Sequence, residues 1–385
     1  MAEQDIIWLV SRVFPPDEGG VQTYAEQVAD AYRSNGHRVR AFVKSSAGPR
    51  RITHGRLDIL DVGPGSKLVT YVRLFRAMLE VWRTGERPVA IHACTWRAAL
   101  AALAFPAPLV VTVHGREFGR PRGAAFRLMR RVLCRAERII AVSQTSRTML
   151  LKRMPELAAR CIIAWNGTAM RGAGPLAGGS ATVADRPQVL TVCRLVPRKN
   201  VAAAIAAAAS LLRLGYRFDY RIVGRGEELL DLQALIDGLG AAASIRLLGY
   251  VPDRELRQLY AASDIFLHPQ IALEEGAEFE GFGISVADAM ATGLACVVGK
   301  DGGPSELIRD NDTGLVVDGR SVDAIEAALE TLLRDAELRL SIGLRAMDWA
   351  ASALDWRRHC RQALGSLVQN RQIAENVTTG AKART

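Results

Sequence analysis

Strand and helix patterns alternate along almost the whole chain, and this alternation is the feature that most restricts its fold. Short apolar runs typical of buried strands, such as Ile6 to Val10 and Leu109 to Val113, are separated by amphipathic stretches with a helical period, such as Leu68 to Arg83. A β-α-β order builds parallel strands into one sheet with helices on both of its faces. The sequence therefore predicts an α/β fold with parallel sheets.

The alternation stops at a stretch rich in Gly, Ala and Pro, residues 172–187, and then restarts. A chain of 385 residues is also too long for one ordinary core and suits two domains. We therefore predict an N-terminal domain over residues 1–171, a linker over 172–187 and a C-terminal domain over 188–350. The small, polar residues 371–385 predict a disordered tail.

The stretch from Glu280 to Ser305 combines a carboxylate, two glycine turns, a helix and an apolar strand. A helix that starts at the turn Gly281-Phe282-Gly283 offers unpaired backbone N–H groups and a positive dipole end, which suit an anion. Glu280 stands beside that end, where it can accept hydrogen bonds from a polyhydroxyl ligand. Asp288 follows two helical turns later. The pattern suits a ligand that has both sugar and diphosphate parts.

Two cations end the first strand of the C-terminal domain. Arg194 follows the run Val189 to Val192, and Lys199 stands five residues later, at the start of a helix. An Arg can grip a diphosphate with two parallel hydrogen bonds, and a Lys can neutralise it as a point charge. Exposed Arg and Lys are also common without a ligand, so this pair is only a candidate site.

Other polar residues follow predicted strands in the N-terminal half. Gly19 and Gly20 precede a helix, where the backbone can approach a phosphate or an acceptor. His114 follows the run that ends at Val113, and Ser143 follows the strand that starts at Arg138. A strand-end histidine is often structural, and Ser143 could equally be the N-cap of the next helix. In doubly wound sheets, ligands bind at the carboxyl ends of the strands.

Taken in order from Gly19 to Glu306, these elements resemble glycosyltransferase family 4, a group of retaining enzymes with the two-domain GT-B fold. The segment from Glu280 to Asp288 is similar to that family's donor signature, with Asp in place of a second Glu. The segment from Cys193 to Asn200 resembles its Gly-Arg-Leu…Lys-Gly element, and Cys193 and Asn200 replace the two glycines. The resemblance implies two Rossmann-like domains that face each other across a cleft, with a C-terminal helix, residues 353–370, packed back on the first domain.

The resemblance also implies roles for individual residues. Arg194 and Lys199 would stabilise the leaving diphosphate, Glu280 would hold the donor hydroxyls and His114 would line the sugar pocket. Gly19 and Ser143 would lie on the acceptor side. The remaining candidates for donor binding are Gly20, Gly224, Tyr250, Val251, Phe282, Gly283, Ile284 and Asp288. The implied reaction moves a hexose from a UDP- or GDP-sugar to a glycan or lipid-linked acceptor in surface polysaccharide synthesis, without a metal or other cofactor.

Charge and cysteine content restrict the partners. The net charge is +10, and seven arginines crowd residues 116–135, while a second basic and apolar helix spans Lys67 to Arg83. Contact with an anionic membrane surface and ordinary solvated helix faces both explain this charge. We do not expect nucleic-acid binding, because no aromatic platform accompanies the charge.

The six scattered cysteines predict reduced thiols in a cytoplasmic protein, at the inner face of the membrane if the acceptor is lipid-linked. We expect a monomer or a weak dimer.

Alternative functions remain open at this point. Glu274, Glu275 and Glu278 form an acidic loop before Glu280, which would suit a cationic aminosugar acceptor and a natural-product glycosyltransferase. A sugar-nucleotide epimerase could use the same fold. The shorter carboxylate at Asp288 also leaves room for a sugar-binding protein without catalysis.

Overall fold

A computed structural model describes residues 5–119, 121–170, 186–365 and 367. The chain divides into two compact units. The first, unit 1, comprises residues up to 142, residues 146–166 and the C-terminal stretch that begins at Trp356. The second, unit 2, comprises residues 143–145 and the stretch from Gly167 to Asp355. Most of the predicted linker at 172–187 and the whole predicted tail at 371–385 lie outside the described residues.

Unit 1 is built on an eight-stranded sheet in the order β3-β4-β2-β1-β5-β6-β7-β8. All neighbouring strands are parallel except β3 and β4. Its strands are β1 Ile6–Ser11, β2 Arg38–Val43, β3 Pro49–His54, β4 Leu57–Val62, β5 Ala90–Ala93, β6 Leu109–Val113, β7 Arg138–Ala141 and β8 Cys161–Ile163. Its helices are α1 Gly20–Ser34, α2 Lys67–Arg83, α3 Arg116–Gly119, α4 Gly123–Arg135 and α5 Gln144–Arg153, with short 3-10 turns at Ala98–Ala102 and Pro155–Arg160.

Unit 2 is built on a six-stranded parallel sheet in the order β11-β10-β9-β12-β13-β14. Its strands are β9 Gln188–Val192, β10 Asp219–Val223, β11 Ile245–Gly249, β12 Ile265–His268, β13 Ala295–Gly299 and β14 Leu315–Val317. Its helices are α6 Val201–Arg213, α7 Leu229–Gly238, α8 Asp253–Ala261, α9 Ile284–Ala291, α10 Gly303–Leu307, α11 Val322–Arg334 and α12 Ala336–Ala353, with 3-10 turns at Pro197–Lys199 and Glu274–Gly276. The predicted α/β class with two parallel-sheet domains is confirmed.

The C-terminal helix α13, Trp356–Leu364, belongs to unit 1. Trp356 and Cys360 are buried in one core with Tyr24 of α1. His359 is buried between them, and its Nε2 lies 2.7 Å from the Tyr24 hydroxyl. The end of the described chain is therefore fixed to the first helix by both apolar packing and a buried hydrogen bond.

Strands β3 and β8 were not among the predicted strands. Strand β3, Pro49–His54, pairs antiparallel with β4 at the edge of the sheet, and all its residues except Ile52 are exposed. A strand with both faces in solvent has no alternation of apolar and polar residues, so the sequence carries no period to reveal it. Among the described residues, no helix is long and apolar enough to cross a membrane.

Candidate functional site

The carboxylate of Glu280 lies between two cations in unit 2. Its Oε2 is 2.9 Å from the Lys199 Nζ and forms a second, short ion pair with Nη1 of Arg198. Both cations are buried, at 4% exposure for Arg198 and 6% for Lys199. Burial alone would raise the pKa of Glu280, but Lys199 and Arg198 hold it well below its usual value. Glu280 is therefore ionised over the whole physiological range.

The two cations lie on the 3-10 turn at Pro197–Lys199, which is separated from the end of β9 by residues 193–196. The turn is fixed at both ends: the Lys199 amide donates to Val196 O, and the Arg198 carbonyl accepts from the amide of Ile271, just after β12. Asn200 then adopts the left-handed conformation, with φ 55°, before α6 begins. Asparagine tolerates this conformation better than most residues, which explains how it replaces glycine here.

Gly224 and Gly226 bring a second backbone against this loop. A Cβ at Gly224 would lie 1.7 Å from the carbonyl oxygen of Cys193, and one at Gly226 would lie 1.9 Å from that of Leu195. The amide of Leu195 also donates to Arg225 O at 2.8 Å. Glycine is required at both positions because the backbones touch, and this contact sets the path of the loop that carries Arg194.

His268 ends β12 beneath the ion pair. Its Nε2 lies 3.3 Å from the Lys199 Nζ, and burial together with the Lys199 charge lowers its pKa well below the usual value. The ring is therefore neutral, and Nε2 accepts a hydrogen bond from the ammonium. Burial likewise lowers the pKa of Lys199, while the Glu280 carboxylate opposes this shift and favours the charged form.

Helix α9 begins next to Glu280. Its N-cap, Gly283, has φ 89°, and a Cβ there would lie 2.8 Å from the Pro304 side chain. The second glycine turn packs on the first, because the amide of Gly303 donates to the Glu280 carbonyl at 2.8 Å. Phe282 is buried and Ile284 is half-buried. The first amides of α9 have no partner within the helix, so they remain available to an anion beside Glu280.

Asp288, on α9, is buried and already hydrogen-bonded. Its Oδ1 accepts from the Thr168 hydroxyl at 2.6 Å and from the Ala169 amide at 3.0 Å, both in the segment that enters unit 2. Burial raises the pKa of Asp288 to about 6, and these two hydrogen bonds oppose the shift. A ligand that binds this carboxylate has to share or replace the contacts with Thr168 and Ala169.

Tyr250 and Val251 follow β11, at the same edge of the sheet. Tyr250 is half-exposed and the guanidinium of Arg225 lies 5.0 Å from the centre of its ring, whereas Val251 is buried. Arg225 and Tyr250 form a flat cation–π surface of the kind on which a planar base could stack.

His114 belongs to unit 1 and follows β6. Its Nε2 lies 2.8 Å from the carbonyl oxygen of Cys94, which can only accept, so Nε2 carries the proton. The ring meets the ring of Tyr24 edge to face, with centroids 4.8 Å apart. The tautomer and the orientation of His114 are therefore set by its neighbours in unit 1.

The other candidates in the N-terminal half lie at helix starts. Gly19 is the N-cap of α1, with φ 142°, and Gly20 is the first residue of that helix. Ser143 is buried, and in the chain it stands just before the start of α5. Each of these residues lies at a strand end or a helix start, as the sequence pattern predicted.

Unit 2 thus brings Glu280 and Lys199 together, while Arg194 is exposed on the same loop. Arg198 and His268 were not singled out from the sequence, although both lie at the ion pair. A signal was present for His268, since it ends an apolar strand just as His114 does. Arg198 gave none, because an arginine beside a lysine is usually a solvated pair. Among the described residues, no three His, Cys, Asp or Glu side chains converge as a metal site.

Two family models match the chain and together span most of it. Residues 18–169 match "Glycosyltransferase Family 4", and residues 179–349 match "Glycosyl transferases group 1". The boundary between the two matches falls close to the boundary between the two units.

Among proteins of known activity, the chain is 30% identical over 384 residues to the GDP-mannose-dependent alpha-(1-6)-phosphatidylinositol monomannoside mannosyltransferase of Mycolicibacterium smegmatis, covering 95% of this chain and 99% of that one. It is 34% identical over 153 residues to O-antigen chain mannosyltransferase B of Escherichia coli, covering 39% and 38%. Among solved structures, sucrose-phosphate synthase from Thermosynechococcus elongatus superposes with a TM-score of 0.79 at 19% identity, covering 97% of this chain and 100% of that one.

Proposed function

Because the chain belongs to family 4 of the group 1 glycosyltransferases, we propose that it transfers a mannosyl group from GDP-mannose to a mannosylated phosphatidylinositol or a similar lipid-linked saccharide. The predicted family and nucleotide-sugar glycosyltransferase activity are confirmed. The donor and the acceptor are those in the name of the Mycolicibacterium relative, which matches this chain from end to end.

The observation that carries the proposal is the buried Lys199–Glu280 pair at the carboxyl ends of β9 and β12. A nucleotide sugar carries two kinds of group that such a pair can bind. Its hydroxyl groups donate to a carboxylate, and its diphosphate attracts an ammonium and the free amides of a helix start. Glu280, Lys199 and the start of α9 together offer all of these within one unit.

The reaction we propose retains the configuration at the anomeric carbon. The bond between that carbon and the diphosphate oxygen breaks, and the acceptor oxygen forms a bond on the face that the leaving group vacates. The acceptor proton passes to the departing phosphate oxygen. Lys199, Arg194 and the amides of α9 stabilise the charge that develops on the diphosphate, which is the main electrostatic task of such a site. Transfer is therefore expected to continue in the presence of EDTA.

Membrane contact through α2 is part of the proposal. Leu68, Val69 and Val72 are exposed apolar residues on this helix, next to basic residues such as Arg73. A groove of about 600 Å³ runs beside the helix, with Phe75, Leu79 and Leu100 in its lining and Arg76 and Arg83 also contributing. An apolar face with basic residues beside it suits an anionic lipid surface at the cytoplasmic side.

A transfer assay tests the proposed function. The protein is incubated with mannosylated phosphatidylinositol and, in separate reactions, with GDP-mannose, UDP-glucose or ADP-glucose, with and without EDTA. We expect an α-linked product from GDP-mannose alone, at the same rate in EDTA. Release of free sugar without a glycolipid product would contradict the proposed transfer to a lipid-linked acceptor. A β-linked product would contradict retention, and transfer from another donor would contradict the choice of GDP-mannose.

A further inference from the structure

We propose that Arg198 is a positioning residue for the donor site: its buried guanidinium holds the Glu280 carboxylate in place against the donor sugar, which leaves the Lys199 ammonium free to engage the diphosphate. The inference rests on the proposed function, because it takes Glu280 to be the group that meets the sugar hydroxyls. The sequence pattern assigned no task to this arginine.

Arg198 and Lys199 contact the same oxygen, Oε2 of Glu280. One carboxylate oxygen is thus shared by two cations of different kinds. A guanidinium is planar and rigid, whereas an ammonium is a point charge on a flexible stem that can exchange partners. Lys199 is therefore the cation suited to leave Glu280 when an anion arrives, and Arg198 is the one suited to stay.

The backbone around Arg198 supports this division. Pro197 fixes the start of the turn, and the Arg198 carbonyl accepts a hydrogen bond from the Ile271 amide at 2.9 Å. The side chain is 4% exposed, so a diphosphate in solvent reaches it less readily than it reaches the exposed Arg194. The Nε of Arg198 is buried and has no hydrogen-bond partner within the described residues. The guanidinium is thus committed to Glu280 through Nη1.

Without Arg198, the exchange of Glu280 for the diphosphate as the partner of Lys199 would cost free energy. If Lys199 moved to the diphosphate, a largely buried carboxylate would lose its remaining cation, and a buried charge without a partner is strongly unfavourable. The groups that face Glu280 are Lys199 and Arg198 on the 3-10 turn, His268 at the end of β12 and Cys193 after β9. The thiol and the imidazole are neutral, because burial raises the pKa of Cys193 to about 11 and lowers that of His268. Arg198 is therefore the compensating charge that remains.

The experiment compares Arg198→Gln and Arg198→Lys with the wild type, and uses Arg213→Gln as a matched control. Arg213 is an exposed arginine in the last turn of α6, so its loss removes the same charge from the same unit. For each protein, the Kd of GDP and of GDP-mannose is measured by calorimetry. The values of kcat and KM for transfer are measured alongside, after thermal unfolding has verified that each variant folds.

For Arg198→Gln, we expect GDP affinity within about threefold of wild type, loss of the extra affinity that the mannosyl group provides and a fall of about 100-fold in kcat/KM. Arg198→Lys should restore part of the rate and part of the affinity that the mannosyl group provides, and it serves as the deciding variant if Arg198→Gln does not fold. Arg213→Gln should match wild type.

Three results would overturn the inference while leaving the proposed function intact. They are a wild-type rate in Arg198→Gln, an Arg198→Lys variant that recovers no more rate than Arg198→Gln, and an equal loss of affinity for GDP and GDP-mannose, which would make Arg198 a ligand of the diphosphate. A wild-type protein that binds neither ligand and transfers no mannose would instead overturn the proposed function, and the role of Arg198 with it.

Discussion

The ammonium of Lys199 lies 2.9 Å from Oε2 of Glu280, although the two residues are 81 positions apart in the chain. Each lies in a loop that follows a different strand of one parallel sheet. The pair exists because β9 and β12 are neighbours in that sheet, so the loops after their carboxyl ends meet. In a doubly wound sheet this edge is where ligands bind. The contact links the anion-binding and the sugar-binding parts of the proposed site before any ligand is present.

Glu280 also contributes to stability. In Glu280→Gln, Arg198 and Lys199 remain buried without a compensating carboxylate, so we expect the free energy of unfolding to fall by about 3 kcal/mol. Urea unfolding at pH 7 measures this change. Asp237→Asn, which removes an exposed carboxylate from α7 of the same unit, should stay within about 0.5 kcal/mol of wild type. Equal stability of Glu280→Gln and wild type would show that the ion pairs add nothing to the fold.

The glycine at 224 is required by a close contact. In Gly224→Ala, the new Cβ meets the Cys193 carbonyl 1.7 Å away, and φ there is 144°, so the loop that carries Arg194 and Lys199 has to shift. A shift of this kind should lower kcat/KM at least tenfold. Gly238→Ala is the matched control, since a Cβ there meets nothing within 4 Å at the end of α7. We expect that variant to keep its rate, whereas equal effects of the two substitutions would argue against loop displacement.

The raised pKa of Asp288 predicts a pH dependence of stability. Burial moves this pKa from an ordinary value of 3.8 to about 6, so the folded state binds more protons than the unfolded state between these values. The stabilising contribution of the carboxyl is therefore present below about pH 4 and lost as the pH rises through 6. The difference in unfolding free energy between wild type and Asp288→Asn should fall by roughly 3 kcal/mol from pH 4 to pH 7. Parallel pH curves for the two proteins would be inconsistent with a buried, shifted carboxyl group.

Binding to anionic vesicles tests the role of α2. Leu68 is 73% exposed on this helix, and Leu214 is 66% exposed in unit 2, so the two leucines form a matched pair. We expect wild type to sediment with vesicles that contain phosphatidylglycerol, less so at high salt, and not with phosphatidylcholine alone. Leu68→Gln should weaken this binding, and Leu214→Gln should leave it unchanged. Equal effects of the two substitutions, or binding without salt dependence, would count against a membrane face on α2.

Strands could be predicted best from the sequence where one face or both faces of the strand are buried. Strand β6 has the predicted bounds, because its apolar run is bordered by turn residues. Strand β3 was missed because both of its faces are exposed. The candidate residues Glu280 and Lys199 could be found because each stands at a strand end or a helix start, where parallel sheets collect ligands.

The side-chain pairings could not be found in the same way. Which of Arg194, Arg198 and Lys199 reaches Glu280 depends on the direction of their side chains along the loop after β9 and its 3-10 turn, and spacing alone does not specify that direction. The contact of Asp288 with Thr168 joins residues 120 positions apart, and no local pattern encodes it. These details need the three-dimensional arrangement of the loops.

The most direct test is the affinity for GDP compared with that for guanosine, measured by calorimetry in wild type and in Lys199→Ala. The two ligands differ only in the diphosphate, so their difference in affinity reports what the cations contribute. We predict that GDP binds wild type at least tenfold more tightly than guanosine and that this gap becomes smaller in Lys199→Ala, in which Arg194 and the amides of α9 remain. Equal affinities of wild type for the two ligands, or an unchanged gap in the variant, would contradict a diphosphate site at Lys199.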